Sequence, residues 1–157
     1  MKVRPASIAE MHECEVIIVT AGRGGRPGET RLELLNENLK IAHSISEELK
    51  GYTGLLVGVT NPVDVLTYFY QKQSEMPAHR VIGTGTFLDS ARLREMIGEK
   101  VGVEPKSVHA DVIGEHGDSS VIVWSKATVG GIALRNWKGW KVEYESELQR
   151  KLRKAAQ

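Results

Sequence analysis

The sequence predicts an α/β protein built on a parallel sheet. Short apolar runs rich in β-branched residues recur along the 157 residues. Helical stretches alternate with them, giving a β-loop-α-β-α-β-α-β order. Each run also ends in a very small or a polar residue, and the carboxyl ends of parallel strands are where such folds bind ligands.

The first run, CEVIIVTAG from Cys14 to Gly22, reads as a fully buried parallel strand. RGGRPGE follows, and its three glycines and proline make it a loop. From Glu29 to Lys50 the pattern is helical. Leu35, Leu39, Ala42, Ile45 and Leu49 fall at spacings of four, three, three and four and form one stripe. Gly51 is a suitable stop for that helix. Gly54 to Thr60 reads as a second buried strand, and NPVD opens a helix with Pro62 in its first turn. Arg80 to Thr86 is a third strand, and the helix beginning at Phe87 ends at Gly102. VHADVIGEHG, from Val108 to Gly117, reads as a fourth strand that extends the parallel alternation. Beyond Val121, VGG and WKGW mark turns, and the tail sets Tyr144, Leu148 and Leu152 on one helical face.

Composition narrows the function classes. Lys and Arg total 21 against 20 Asp and Glu, with no block of like charge. That balance gives no case for nucleic acid or a membrane surface. The apolar runs are strand-length, far short of the ~20 residues a membrane helix needs. The N-terminus, MKVRPASIAEMHE, lacks the apolar core of a signal peptide. One cysteine, Cys14, forms no internal disulfide, so a reducing cytoplasm is the simplest setting. Its plainer role is a small residue beside a strand.

The four expected strand ends carry Ala21-Gly22, Thr60-Asn61, Gly83-Thr84 and Glu115-His116-Gly117. Gly22 permits close approach of a ligand to backbone, and Asn61 offers a donor and an acceptor. His116 is a proton carrier of the residue type suited to reversible transfer near neutrality. Asp89 and Arg92 lie one helical turn apart and face the same way. The arginine can hold a carboxylate by two parallel hydrogen bonds, and the aspartate can pair with His116 and fix its tautomer. Arg31 begins the first helix behind the glycine loop, where a closing lid would carry it to a substrate. Plainer roles stay open for each: a structural histidine, a surface i,i+3 pair, a helix cap at Asn61 and a solvated Arg31. No G-x-G-x-x-G loop or Walker loop is present: the series from Gly22 meets Pro27, and that from Gly83 meets Leu88. His109 and His116 are seven apart, without metal-ligand spacing, so no metal site is expected.

Four segments together, VTAGRGGRPGETRLELLNEN, TNPVDVLTY, RVIGTGTFLDSARLR and GEHGDSSVIVWS, closely resemble the NAD-dependent L-lactate/malate dehydrogenase family. They stand in the family's order and at about its spacings, covering Ala6 to Ala156. The resemblance implies a partial Rossmann-like parallel sheet followed by the start of the family's catalytic domain. Residues 1–86 would be the second half of a dinucleotide-binding domain and 87–157 part of the substrate domain. It implies NAD as cofactor and hydride transfer to or from C2 of a small 2-hydroxy or 2-oxo acid. His116 resembles the family's acid/base and Asp89 its carboxylate partner. Arg92 resembles the anchor for the substrate carboxylate and Arg31 the lid arginine that polarises the carbonyl. Asn61 resembles the residue near the nicotinamide ribose and the substrate oxygen, while Ala21, Gly22 and Thr60 belong to the cofactor platform.

Departures from the family pattern set three further expectations. Family chains are about twice as long, and their glycine-rich phosphate loop and C-terminal part have no counterpart here. An alternative reading is therefore a truncated, non-catalytic remnant that serves as a binding or oligomerising module. The strand Glu15–Thr20 would have an open apolar edge, which predicts a homo-oligomer. At the family's usual selector position this chain has Gly25, neither the Gln of lactate enzymes nor the Arg of malate enzymes. Arg26 stands one position later, where a shifted loop brings it or Arg23 toward the substrate. GTGTFLDSARLR and VWSKATVGGIAL look more like the lactate branch.

Overall fold

Up to Gly83 the chain alternates strand and helix as its periodicities require. A computed structural model describes residues 3–155, without the side chains of Arg31 and Ala155. It divides into two compact units, one up to Thr84 and one from Gly85 onward.

In the first unit, β1 (Val16–Val19), β2 (Leu55–Gly58) and β3 (Val81–Gly83) form a parallel sheet in that order. Val16 lies opposite Leu55, and Leu56 opposite Val81. The crossovers are α1 (Arg31–Glu48) and α2 (Val63–Gln73). Two sequential crossovers of one hand place both helices on the same face of a sheet. Ile17, Val19, Leu56 and Val81 point to that face and pack with Ala42, Leu49, Leu66, Tyr70 and Met76.

The expectation of fully buried strands holds for one face only. Val16 is 48% exposed and Ile18 64%, and Ile82 is also exposed. Period-two alternation puts these residues opposite the helices, where no described element of the unit covers them. The stripe on α1 is also displaced. Its deepest positions are Asn38, Ala42, Ser46 and Leu49, so two polar residues lie where only apolar ones were expected. Ser46 satisfies itself by donating to the Ala42 carbonyl at 2.8 Å.

The second unit opens with α3 (Phe87–Val101), capped by Gly102 in the left-handed conformation at φ 72°. The expected fourth parallel strand is not formed. Its residues split into β4 (Val108–His109) and β5 (Val112–Ile113). β5 pairs antiparallel with β6 (Val121–Ile122). β4 pairs antiparallel with β7 (Thr128–Val129), which in turn pairs with β8 (Ile132–Ala133) through the Gly130-Gly131 turn. Apolar continuity does not distinguish a parallel strand from these short hairpins. Closing a short loop onto a neighbouring segment costs less entropy than reaching a distant strand. The tail forms α4 (Glu143–Ala155), whose Leu148 and Leu152 are buried and whose Tyr144 stands on the same face, edge-on to Trp140. Leu93, Ile97, Val108, Val112, Val129 and Leu134 complete this core. Arg135 grips Glu145 with two hydrogen bonds of 2.8 and 2.9 Å, tying the loop to α4.

Among the described residues, no helix is long and apolar enough to cross a membrane. Each unit has its own core, so each should respond to its own cavity. Leu56→Ala and Leu93→Ala, both at fully buried sites, are expected to cost about 2–5 kcal/mol each. The exposed Leu32→Ala should stay within about 0.5 kcal/mol. Urea unfolding of the three variants checks this ordering.

Candidate active site

The first unit gathers its polar residues at the carboxyl ends of β1 and β2. Thr60 Oγ1 donates to the Ala21 carbonyl at 2.7 Å. A Cβ on Gly22 would meet Thr60 Cγ2 at 2.3 Å, so only glycine lets these two strand ends close. Asn38, on α1 and 2% exposed, completes the tie. Its Oδ1 accepts from the Arg23 N–H at 2.9 Å, and its Nδ2 donates to the carbonyls of Arg23 and Asn61, both at 3.3 Å. Ala21, Gly22, Thr60 and Asn61 are thereby brought together as one platform. Pro62 flanks α2, so Asn61 stands outside the cap position and does not cap it.

The loop after Gly22 is closed by an ion pair. Arg23 engages Glu29 with both guanidinium arms, one of them at 2.8 Å from Oε2. The same Oε2 accepts from the Arg26 N–H at 3.0 Å. These bonds, led by the Arg23 guanidinium, hold the Glu29 carboxyl at about 2, against an ordinary 4.5. Arg23 is thus engaged inside the loop, whereas the Arg26 side chain is exposed. Thr30 and Glu33 then form a capping box that starts α1. Arg31 is the first residue of that helix, and its side chain lies outside the described residues.

The second unit carries the titratable pair. Asp89 lies in the first turn of α3 and is 3% exposed. His116 lies in the turn between β5 and β6, not at the end of a parallel strand as expected. Its Nδ1 stands 2.5 Å from Asp89 Oδ2. A carboxylate only accepts, so Nδ1 carries the proton of this bond. Arg92 Nη1 lies 3.8 Å from Asp89 Oδ1, one turn along the helix. Burial of Asp89 removes the surface-pair reading, because a carboxylate out of water requires partners. Among the described residues no cluster of His, Cys, Asp or Glu could hold a metal ion.

Neither Asn38 nor Glu29 is singled out by motif or composition. A signal existed for Asn38, which stands three residues after Leu35 and four before Ala42, on the buried stripe.

Residues 1–83 match the family described as lactate/malate dehydrogenase, NAD binding domain, and residues 86–157 match its alpha/beta C-terminal domain. The chain belongs to the lactate/malate dehydrogenase family. It is similar to the L-lactate dehydrogenase of Fervidobacterium nodosum, with 51% identity over 127 residues, 80% of this chain and 41% of that one. It is 47% identical to the L-lactate dehydrogenase of Streptococcus suis over 138 residues, 87% of this chain and 42% of the relative. Among solved structures, the minor L-lactate dehydrogenase from Enterococcus mundtii in its ligands-bound form superposes with a TM-score of 0.89 at 39% identity. That match covers 96% of this chain and 50% of the other. The apo malate dehydrogenase from Picrophilus torridus gives 0.87 at 36% identity, over 94% of this chain and 46% of the other. The chain spans about two fifths of the length of the curated relatives it matches.

The Arg23–Glu29 pair sets a pH dependence. The folded Glu29 carboxyl, at about 2, lies below its ordinary 4.5. Its stabilisation is therefore complete above about pH 4.5 and is lost as pH falls toward 2. Glu29→Gln should be less stable than wild type at pH 7, and that gap should close across this acid window, followed by circular dichroism.

Proposed function

We propose that this chain carries the catalytic middle of an NAD-dependent L-2-hydroxy acid dehydrogenase, with lactate and pyruvate favoured over malate and oxaloacetate. The observation that supports it most is the 2.5 Å bond between His116 Nδ1 and the buried Asp89 carboxylate. Such a bond fixes the imidazole tautomer and leaves the transferable proton to Nε2.

Residues 1–86 are assigned to the dinucleotide and 87–157 to the substrate. The first unit fits the nicotinamide-ribose end of NAD. Its exposed Ala21-Gly22 backbone and Asn61 form a platform at the carboxyl ends of a parallel sheet. Ala21, Gly22, Thr60 and Asn61 would hold that end, and NAD, when bound, supplies or accepts the hydride at C2 of the acid.

The chain's own residues do the rest. In the reducing direction His116 gives the proton to the substrate oxygen, and in the oxidising direction it takes it back. Asp89 holds the ring in register. Arg92 binds the substrate carboxylate through two parallel hydrogen bonds, which fixes the acid's orientation. Arg31 stabilises negative charge on the reacting oxygen. Arg26 is the loop cation that would meet the second carboxylate of a malate-type substrate, since Arg23 is held by Glu29. The L-lactate dehydrogenase names of the curated relatives from Fervidobacterium nodosum and Streptococcus suis support the lactate preference. The open sheet face at Val16, Ile18 and Ile82 supports a homo-oligomer, and the lone Cys14 supports a reducing cytoplasm.

NADH oxidation with pyruvate and oxaloacetate in parallel tests the proposal. His116→Asn is expected to lower turnover by about 10²–10⁴-fold. Arg92→Lys should raise KM, because an ammonium cannot reproduce the two-pronged carboxylate contact. Faster turnover of oxaloacetate, erased by Arg26→Ala, would replace the lactate preference with a malate one. Absence of both turnover and NADH binding would favour the non-catalytic remnant. Light scattering at a monomer mass would remove the oligomer.

A further inference from the structure

His116 sits in a turn, and a turn by itself does not hold a ring to within hydrogen-bonding distance of a helix. What fixes it begins four residues earlier. Val112 lies opposite Ile122 in the β5–β6 hairpin. The Val123 N–H donates to the Asp111 carbonyl at 3.0 Å. Antiparallel ladders bond alternate residues, so Val112 turns its own N–H and C=O away from β6. Val112 is 3% exposed, and both groups would be left buried without partners.

Helix α3 supplies the partners. The Val112 N–H donates to Ser90 Oγ at 2.9 Å. Its carbonyl accepts from Thr86 Oγ1 at 2.6 Å and from Ser90 Oγ at 3.4 Å. Ser90 is 7% exposed and adjacent in sequence to Asp89. One turn of α3 thus grips the hairpin twice, at its base through Ser90 and Thr86 and at its tip through Asp89 and His116. The cluster is polar at every contact, so its geometry is directional in a way apolar packing is not.

We propose that Ser90, assisted by Thr86, is a positioning residue that sets the distance from His116 to Asp89 by docking the β5 backbone on α3. Its consequence for proton transfer rests on the dehydrogenase reading, but its geometry does not. The Ser90 hydroxyl is engaged by the Val112 N–H and carbonyl, so it acts through the hairpin. Val112 N–H has Ser90 as its partner, whereas the carbonyl has two, so Ser90 outweighs Thr86.

The test uses the full chain with ¹⁵N-labelled histidine, without cofactor or substrate. An imidazole N–H held on a carboxylate gives a low-field resonance with slowed exchange, and His116→Asn assigns it. In Ser90→Ala this resonance is expected to exchange roughly tenfold faster or to vanish, the size of one lost buried hydrogen bond. Thr86→Val should give a smaller change of the same kind. Leu148→Ala, a cavity elsewhere in the same core, should keep the resonance despite its lower stability. With turnover present, Ser90→Ala should lower kcat by up to about 100-fold with little change in KM. Unchanged exchange in Ser90→Ala overturns the proposal. So does a wild type without the protected resonance, or equal loss in Leu148→Ala. Expected resonances in a chain without turnover would leave the positioning standing and remove the dehydrogenase reading.

Discussion

The arrangement of the second unit follows from a carboxylate that has been taken out of water. Asp89 is 3% exposed, and a buried charge is tolerated only with partners around it. Its place in the first turn of α3 sets it in the favourable field of the helix N-terminus. His116 and Arg92 partner it from the hairpin and from the next helical turn. Removing one partner of such a pair costs about 3–5 kcal/mol, a large share of a domain's stability. The β5–β6 hairpin is therefore fixed on α3 by electrostatics as well as by the apolar contacts of Val112 and Ile122.

The first unit obeys a different constraint. Two parallel strands end side by side, and their loops must be held without a hydrophobic core above them. Asn38 does this from beneath by binding backbone of both loops, and Thr60 does it laterally. Both are ordinary polar residues in the sequence, and their importance comes from burial. An amide that satisfies three backbone groups at once is costly to replace, since each loss leaves a buried group without a partner. The Arg23–Glu29 pair extends the same order into the glycine loop, just ahead of the capped start of α1.

Sequence similarity runs through both units, whereas the contacts of Glu29, Asn38 and Ser90 are read from the geometry alone. They describe how the chain holds its motif residues, not which motif residues it has.

Much of the fold was legible in the sequence. The β1, β2 and β3 runs, the α1, α2 and α3 stretches and the glycine stop at Gly102 all appear where periodicity and turn chemistry put them. So do Asp89 and Arg92 on one helical face, and the apolar line of Leu148 and Leu152. These are local properties, determined within a few residues by side-chain spacing and backbone preference. Tertiary structure decided what spacing cannot express. It split the fourth apolar run into two antiparallel pairings, and left one face of the first sheet open. It made Asn38 and Ser90 buried ties to backbone groups far along the chain. Strand pairing and burial are settled by competition among segments far apart in the chain, and the pattern within one segment carries no record of which competitor wins.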